Sequence, residues 1–197
     1  PTLDELAERY RGLKPPRFPT VFECLLNAVA CQQLSIAAGL TILSRLAAAA
    51  GASAGPLHAF PRPSDVLDVP KFALRALGFS ERKAETILEL ARVAATGELE
   101  LETLEQLNDA AVVEALVRQR GIGPWSADYV MLRALGRLHV FPQSDVGALN
   151  GLRALLAASG RDEAPRAALA RQARGFDLSA GRDLLGPAFA ASFFSLS

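Results

Sequence analysis

Apolar residues recur at helical spacing along nearly the whole of this 197-residue chain, and capping residues punctuate them. Thr2-Leu-Asp-Glu5 and Thr20-Val-Phe-Glu23 each set a threonine three residues before a glutamate, the spacing of a capping box. Between them, Lys14-Pro-Pro-Arg-Phe-Pro19 predicts a rigid extended link, because its prolines restrict the backbone and cannot donate. A helix is expected from about 21 to 33, and Ser35 is placed to cap an alanine-rich one ending near Gly51. Residues 51–63, rich in Gly and Pro, read as loop. Pro70 suits a first helical position with Gly78 as the stop, and Ser80-Glu-Arg-Lys83 opens a long amphipathic helix closed by Gly97. A short helix near 101–107 leads to Asn108-Asp109, the cap of a helix reaching Arg118. Further helices are predicted over Trp125–Leu135, Val146–Ser159, Ala164–Ala173 and Pro187–Leu196. No alternating strand pattern and no fixed-period repeat is present, so the expected class is all-α.

Composition agrees. Half the residues are hydrophobic but only 7% are aromatic, so alanine and leucine carry the apolar content and favour helix over strand. Lys+Arg and Asp+Glu both number 21, giving a formal net charge of zero. That weighs against a protein relying on a strongly basic surface, although backbone N–H groups hold phosphates without net charge. Cys24 and Cys31, on one helix, would lie about 10 Å apart along its axis, too far for a disulfide. There is no four-cysteine set for zinc or an iron–sulfur cluster. With no signal peptide and no apolar run of transmembrane length, the expectation is a reduced, cytoplasmic protein that engages no membrane and is a monomer.

The candidate chemistry gathers at Gly121-Ile-Gly-Pro-Trp-Ser-Ala127, between two helical segments, and at Asp145, 22 residues after Gly123. A glycine takes positive φ at no steric cost, so the chain can turn tightly there. The first-turn N–H groups of the following helix then face an anion, for which a DNA phosphate is the natural choice. Alone, the Gly-x-Gly is equally an ordinary connector, and Asp145 alone equally caps the helix beginning at Val146. Trp125 and Tyr129, four residues apart, share a helix face, where core packing is the plain alternative. His58 and His139 have no catalytic partner nearby in sequence and read as structural.

Taken with Gln32-Gln-Leu-Ser35 and Leu77-Gly-Phe-Ser-Glu-Arg-Lys-Ala84, this set resembles the helix-hairpin-helix DNA glycosylase superfamily, specifically its 3-methyladenine DNA glycosylase II branch. Four separated motifs occur in the family's order, over roughly residues 18–157. The resemblance implies two helical lobes around a cleft. Here these would be a central lobe of about 35–140 and a second built from 1–34 and 141–197. It implies Asp145 as the catalytic carboxylate, which stabilises positive charge on the sugar and orients water. It places Trp125 and Tyr129 in the base pocket, stacked on a flipped, cationic alkylated base. It assigns a DNA wedge to Gln33 or Leu34, and phosphate contacts to Gly121, Gly123, Trp125 and Ser126. For Leu34 the plain alternative is burial in the core. Arg118, Arg120, Arg133 and Arg137 would add local positive charge.

No cofactor is required on this reading. A monovalent cation, Na+ or K+, would bind the backbone carbonyls of Val117, Gln119 and Ile122. Glycosylases of the fold that also cut the backbone carry a nucleophilic lysine where this chain has Trp125, so a monofunctional enzyme acting on damaged double-stranded DNA is implied. One departure is the stretch Gly186–Phe194, which supplies phenylalanines where relatives often have tryptophans and an arginine-rich segment; it bears on substrate range. Two other readings stay open: a glycosylase for oxidised or mismatched bases, and a non-catalytic helix-hairpin-helix module.

Overall fold

A computed structural model describes residues 14–158, together with Glu8, Arg11 and Gly12. The helices expected at 164–173 and 187–196, the Thr2–Glu5 cap and the 186–194 stretch lie outside the described residues. Eight α-helices fill the described region: α1 Val21–Cys31, α2 Ile36–Ala50, α3 Pro63–Leu67, α4 Lys71–Leu77, α5 Glu81–Ala95, α6 Asp109–Val117, α7 Pro124–Arg133 and α8 Val146–Ala158. A 3-10 helix, Leu101–Gln106, precedes α6. The all-α expectation holds.

The caps explain the agreement. Thr20, Ser35, Ser80 and Asn108 each accept, through the side chain, the N–H three residues on, from Glu23, Ala38, Lys83 and Ala111. Each bond satisfies one of the donors that a helix start leaves open. Gly78 closes α4 with φ +116°.

Three features differ from expectation, all between 51 and 70. Strands β1 (Ser53–Ala54) and β2 (Leu57–His58) form a two-residue antiparallel ladder, Ser53 opposite His58, inside the segment read as loop. Four paired residues are too few for any alternation to register in sequence. The five-residue α3 was likewise not expected. It starts from Arg62, not a usual capping residue, and the Asp65 carboxylate accepts the Arg62 N–H at 2.9 Å, with Pro63 in the first helical position. Pro70 is the N-cap of α4 rather than its first residue.

The chain divides into two compact units: residues 18–130, and residues 1–17 with 131–197. The division thus falls at 17/18 and 130/131, not at 34/35 and 140/141. The reason is α1. Its residues Phe22 and Cys24–Ala30 are all buried, and it packs on α2 and α5 of the central unit. A helix apolar nearly all round needs neighbours on every side. Leu25, Leu26, Val29, Leu46, Ile87 and Leu90 are among the fully buried side chains around it. In the other unit, Leu132, Phe141, Ala148 and Leu149 form a small core covered by Leu138 and Leu152. There the predicted rigid link is pinned by two arginines: Arg17 Nε donates to the Ala134 carbonyl at 2.7 Å, and Arg133 Nε to that of Pro16 at 2.8 Å.

The C-terminal end of α1 is closed from a distance. Lys83 on α5 donates its ammonium to the carbonyls of Ala30 at 2.8 Å and Gln32 at 2.6 Å. These are helix-end carbonyls, which carry partial negative charge and welcome a cation. Lys83→Met should lower unfolding free energy by about 2 kcal/mol, since hydrogen bonds from charged groups contribute roughly 1.5–3 kcal/mol each and the group is partly solvated. A urea titration that leaves the midpoint unmoved would show those bonds to be cancelled by dehydration of the ammonium.

Candidate functional site

Residues 118–123 join α6 to α7 in a hairpin fixed by contacts from three directions. Within it, the Gln119 N–H donates to Leu116 O at 3.0 Å and the Ile122 N–H to Gln119 O at 3.1 Å. Ile122 is buried. Gly121 has φ +83°, and a Cβ built there would lie 2.3 Å from Thr86 Oγ1 on α5. Both its conformation and its surroundings therefore require glycine. The third contact comes from Gln32, whose Nε2 donates to the Gly121 carbonyl at 3.1 Å and to Ser126 Oγ at 3.2 Å.

Gly123 plays a different part. Its carbonyl accepts the first helical bond of α7, from Ala127 at 3.0 Å, which makes it the N-cap. Five other helices of the described region start with a side-chain oxygen in that place; α7 starts with no side chain at all, followed by Pro124. Space is open where a Cβ would stand. A glycine N-cap brings no side-chain acceptor of its own to that start. Of the predicted phosphate positions, Gly121, Gly123 and Trp125 lie at this turn. Ser126 does too, but it is buried and its hydroxyl accepts from Gln32.

Trp125 and Tyr129 come together as the helical spacing predicts. Their rings stack at 5.5 Å between centroids and 23° between planes, and Phe18 adds a tilted contact to Tyr129 at 6.2 Å. Tyr129 is buried at 9% exposure, and its hydroxyl donates to Asn27 Oδ1 at 2.9 Å. Asn27 itself is 7% exposed. Sequence reasoning missed both Phe18 and Asn27. Asn27 did carry a signal: one amide inside an otherwise apolar helix needs a buried partner.

The predicted wedge residues sit in the turn between α1 and α2. Gln33 is the single non-glycine residue among those described with positive φ, at +56°. Leu34 is 45% exposed, which removes core burial as its explanation. Lys83 holds the Gln32 carbonyl just before them, and Ser35 caps α2 just after. Burial pushes the Lys83 ammonium below the usual lysine range, with neighbouring Cys31 opposing the shift. Burial also pushes the Cys31 thiol up, against the pull of Lys83.

Asp145 heads α8 in the second unit. Its Oδ1 accepts the Ala148 N–H at 2.9 Å, its N–H donates to Pro142 O at 3.0 Å, and its carbonyl accepts the Leu149 N–H at 3.0 Å. The capping role is thus real. A capping bond does not bar a second role for the carboxylate, since the printed bond engages Oδ1. Two of the four arginines expected to add positive charge are paired with acids: Arg118 with Glu114, and Arg120 with Glu85 at 2.8 Å. Arg133 is taken up by the Pro16 carbonyl. His58 lies in the small ladder, within 3.5 Å of Ser53 Oγ.

No group of three or more His, Cys, Asp or Glu side chains among the described residues could hold a metal. The carbonyls of Val117, Gln119 and Ile122 fit a hard monovalent cation by donor type: all are neutral oxygens, the first at the end of α6 and the other two in the turn before α7. The Gln119 oxygen, which accepts from Ile122, keeps a second lone pair. No helix among the described residues is long and apolar enough to cross a membrane.

The family described as "HhH-GPD superfamily base excision DNA repair protein" matches residues 26–173. A DNA-3-methyladenine glycosylase of Bacillus subtilis is 31% identical over 159 residues, covering 79% of this chain and 52% of its own. DNA-3-methyladenine glycosylase 1 of Schizosaccharomyces pombe is 30% identical over 154 residues, 78% of this chain and 65% of its own. This chain therefore spans about half to two thirds of the length of such curated relatives. Among solved structures, a 3-methyladenine DNA glycosylase from Archaeoglobus fulgidus has a TM-score of 0.81 at 28% identity, covering 98% of this chain and 66% of that one. The Schizosaccharomyces pombe enzyme in complex with abasic DNA has a TM-score of 0.72 at 25% identity, covering 93% and 87%.

The two hairpin glycines should respond differently to alanine. Gly121→Ala should cost roughly 2–4 kcal/mol, from the left-handed backbone and the collision with Thr86. Gly123→Ala should stay within about 1 kcal/mol of wild type. Urea denaturation of both variants checks this, and equal losses would contradict the division of labour.

Proposed function

Because the chain belongs to the HhH-GPD superfamily of base excision DNA repair proteins, we propose that it is a monofunctional DNA glycosylase excising alkylated bases such as 3-methyladenine and 7-methylguanine from duplex DNA. The observation that carries this reading is the stacked Trp125–Tyr129 pair on the helix that begins at the hairpin, with Tyr129 fixed by Asn27. Electron-rich faces bind any flipped base, and bind a cationic alkylated one better. The relatives named as 3-methyladenine glycosylases support the same substrate class.

The chemistry follows from the residue types. The bond from C1′ to the base nitrogen breaks, and its electron pair leaves with the base. A cationic N-alkylated purine departs neutral, so no strong general acid is needed. Positive charge develops on the sugar, where Asp145 supplies the opposing carboxylate. Water adds at C1′ and its proton passes to solvent, leaving an abasic site. Trp125 stands where a lyase of this fold carries its amine, and an indole cannot form a Schiff base. Amides around Gly121, Gly123, Trp125 and Ser126 would bind phosphate. Gln33 or Leu34 would fill the place of the flipped nucleotide. Na+ or K+ on the carbonyls of Val117, Gln119 and Ile122 would lend the hairpin positive charge toward phosphate.

Incubation with methylated DNA, followed by chromatography of the released bases, tests the reading. Wild type should release alkylated purines. Asp145→Asn should lose at least about 100-fold in single-turnover rate while still binding abasic-site DNA, as removal of one key electrostatic group does elsewhere. Near-normal turnover by that variant would overturn the role of Asp145. Preferred release of 8-oxoguanine or thymine would reassign the substrate. Binding intact and damaged duplex alike, with no release, would make the protein a binding module.

A further inference from the structure

Gly147 is the second residue of α8, and nothing in its backbone calls for glycine: it lies inside the helix and is not among the residues with positive φ. Alanine is the better helix former there. A Cβ built on Gly147 would meet one atom within 4 Å among the described residues, Asp145 Oδ1 at 3.2 Å. Close carbon–oxygen approaches usually settle near 3.3–3.6 Å, so one of the two must yield. That same Oδ1 accepts the Ala148 N–H at 2.9 Å, so the carboxylate cannot retreat without weakening its own hydrogen bond.

The other capped helices show that the cap is not the reason. Thr20, Ser35, Ser80 and Asn108 accept from the third helical residue just as Asp145 does. Their second helical residues are Phe22, Ala37, Arg82 and Ala110, all with a Cβ. Side-chain capping therefore tolerates a substituent at that position. What does not tolerate it is the direction in which the Asp145 carboxylate points.

We infer that Gly147 is a positioning residue for the reaction, its missing Cβ leaving the Asp145 carboxylate free to hold the orientation in which it faces substrate. The inference rests on the reading of Asp145 given under the proposed function. A displacement of a few tenths of an ångström re-aims both oxygens together, because they turn as one rigid group. Rates that depend on placement are sensitive to shifts of that order.

The test is Gly147→Ala in the full chain. Single-turnover release from methylated DNA should fall about tenfold, while the melting temperature holds or rises and abasic-DNA affinity stays within twofold. The Ala148 amide resonance should shift, reporting the displaced acceptor. Asn150→Ala, an exposed position on the same helix, should leave release unchanged. An unaltered rate in G147A overturns the inference. So does a rate that falls together with melting temperature, or a variant that does not fold, since either makes Gly147 structural. A wild type that releases no base overturns the reading of Asp145 itself, whereas active wild type with equally active G147A overturns the positioning role alone.

Discussion

The side-chain amide of Gln32 is the joint on which the geometry of the central unit's site depends. Its two protons go to the Gly121 carbonyl and the Ser126 hydroxyl, one on the hairpin and one in the first turn of α7. The backbone carbonyl of the same residue accepts from Lys83. Three separated stretches of sequence, around 32, 83 and 121–126, are thereby held in one frame. The frame is needed because α7 begins at a glycine. The usual device for fixing a helix start, a side-chain oxygen on the N-cap residue, cannot come from a glycine. Thr86 and Gln32 hold the turn at Gly121, and space is open beside Gly123.

The same economy governs the aromatic pair. Stacking alone leaves a ring able to slide or rotate in its plane. Tyr129 is denied that freedom because its hydroxyl proton is committed to Asn27, deep in a helix with no other buried polar side chain. A buried amide costs free energy unless paired, so the pairing selects a single arrangement of α1 against α7. Phe18 closes on the tyrosine from the segment just before α1. The rings are thus held by the core of the unit rather than by a surface loop.

Local signals were legible and distant partners were not. Thr20, Ser35, Ser80 and Asn108 cap helices where their spacing announced them, since each bond spans three residues. The hairpin glycines and the Trp125–Tyr129 face were legible for the same reason. Gln32 to Gly121 spans 89 residues and Tyr129 to Asn27 spans 102, and no periodicity encodes such pairs. The place of α1 in the contact division differs from the expected lobes on similar grounds. Its apolar run announced burial, but not in which unit. Asp145 carried two readings in sequence, cap and catalyst, and the geometry makes the first a fact without displacing the second.

Net neutrality then acquires a physical meaning. Arg118 and Arg120 on the hairpin are each matched by a glutamate, so the turn presents little unpaired side-chain charge of its own from these two groups. A long-range field gathers polyanions without fixing their register, whereas backbone N–H groups act only at hydrogen-bond distance and in one direction. A hairpin whose Arg118 and Arg120 are matched by glutamates leans, in the role proposed above, on short-range backbone contacts. On the function proposed above, contacts that fix register matter more than affinity gathered from a distance.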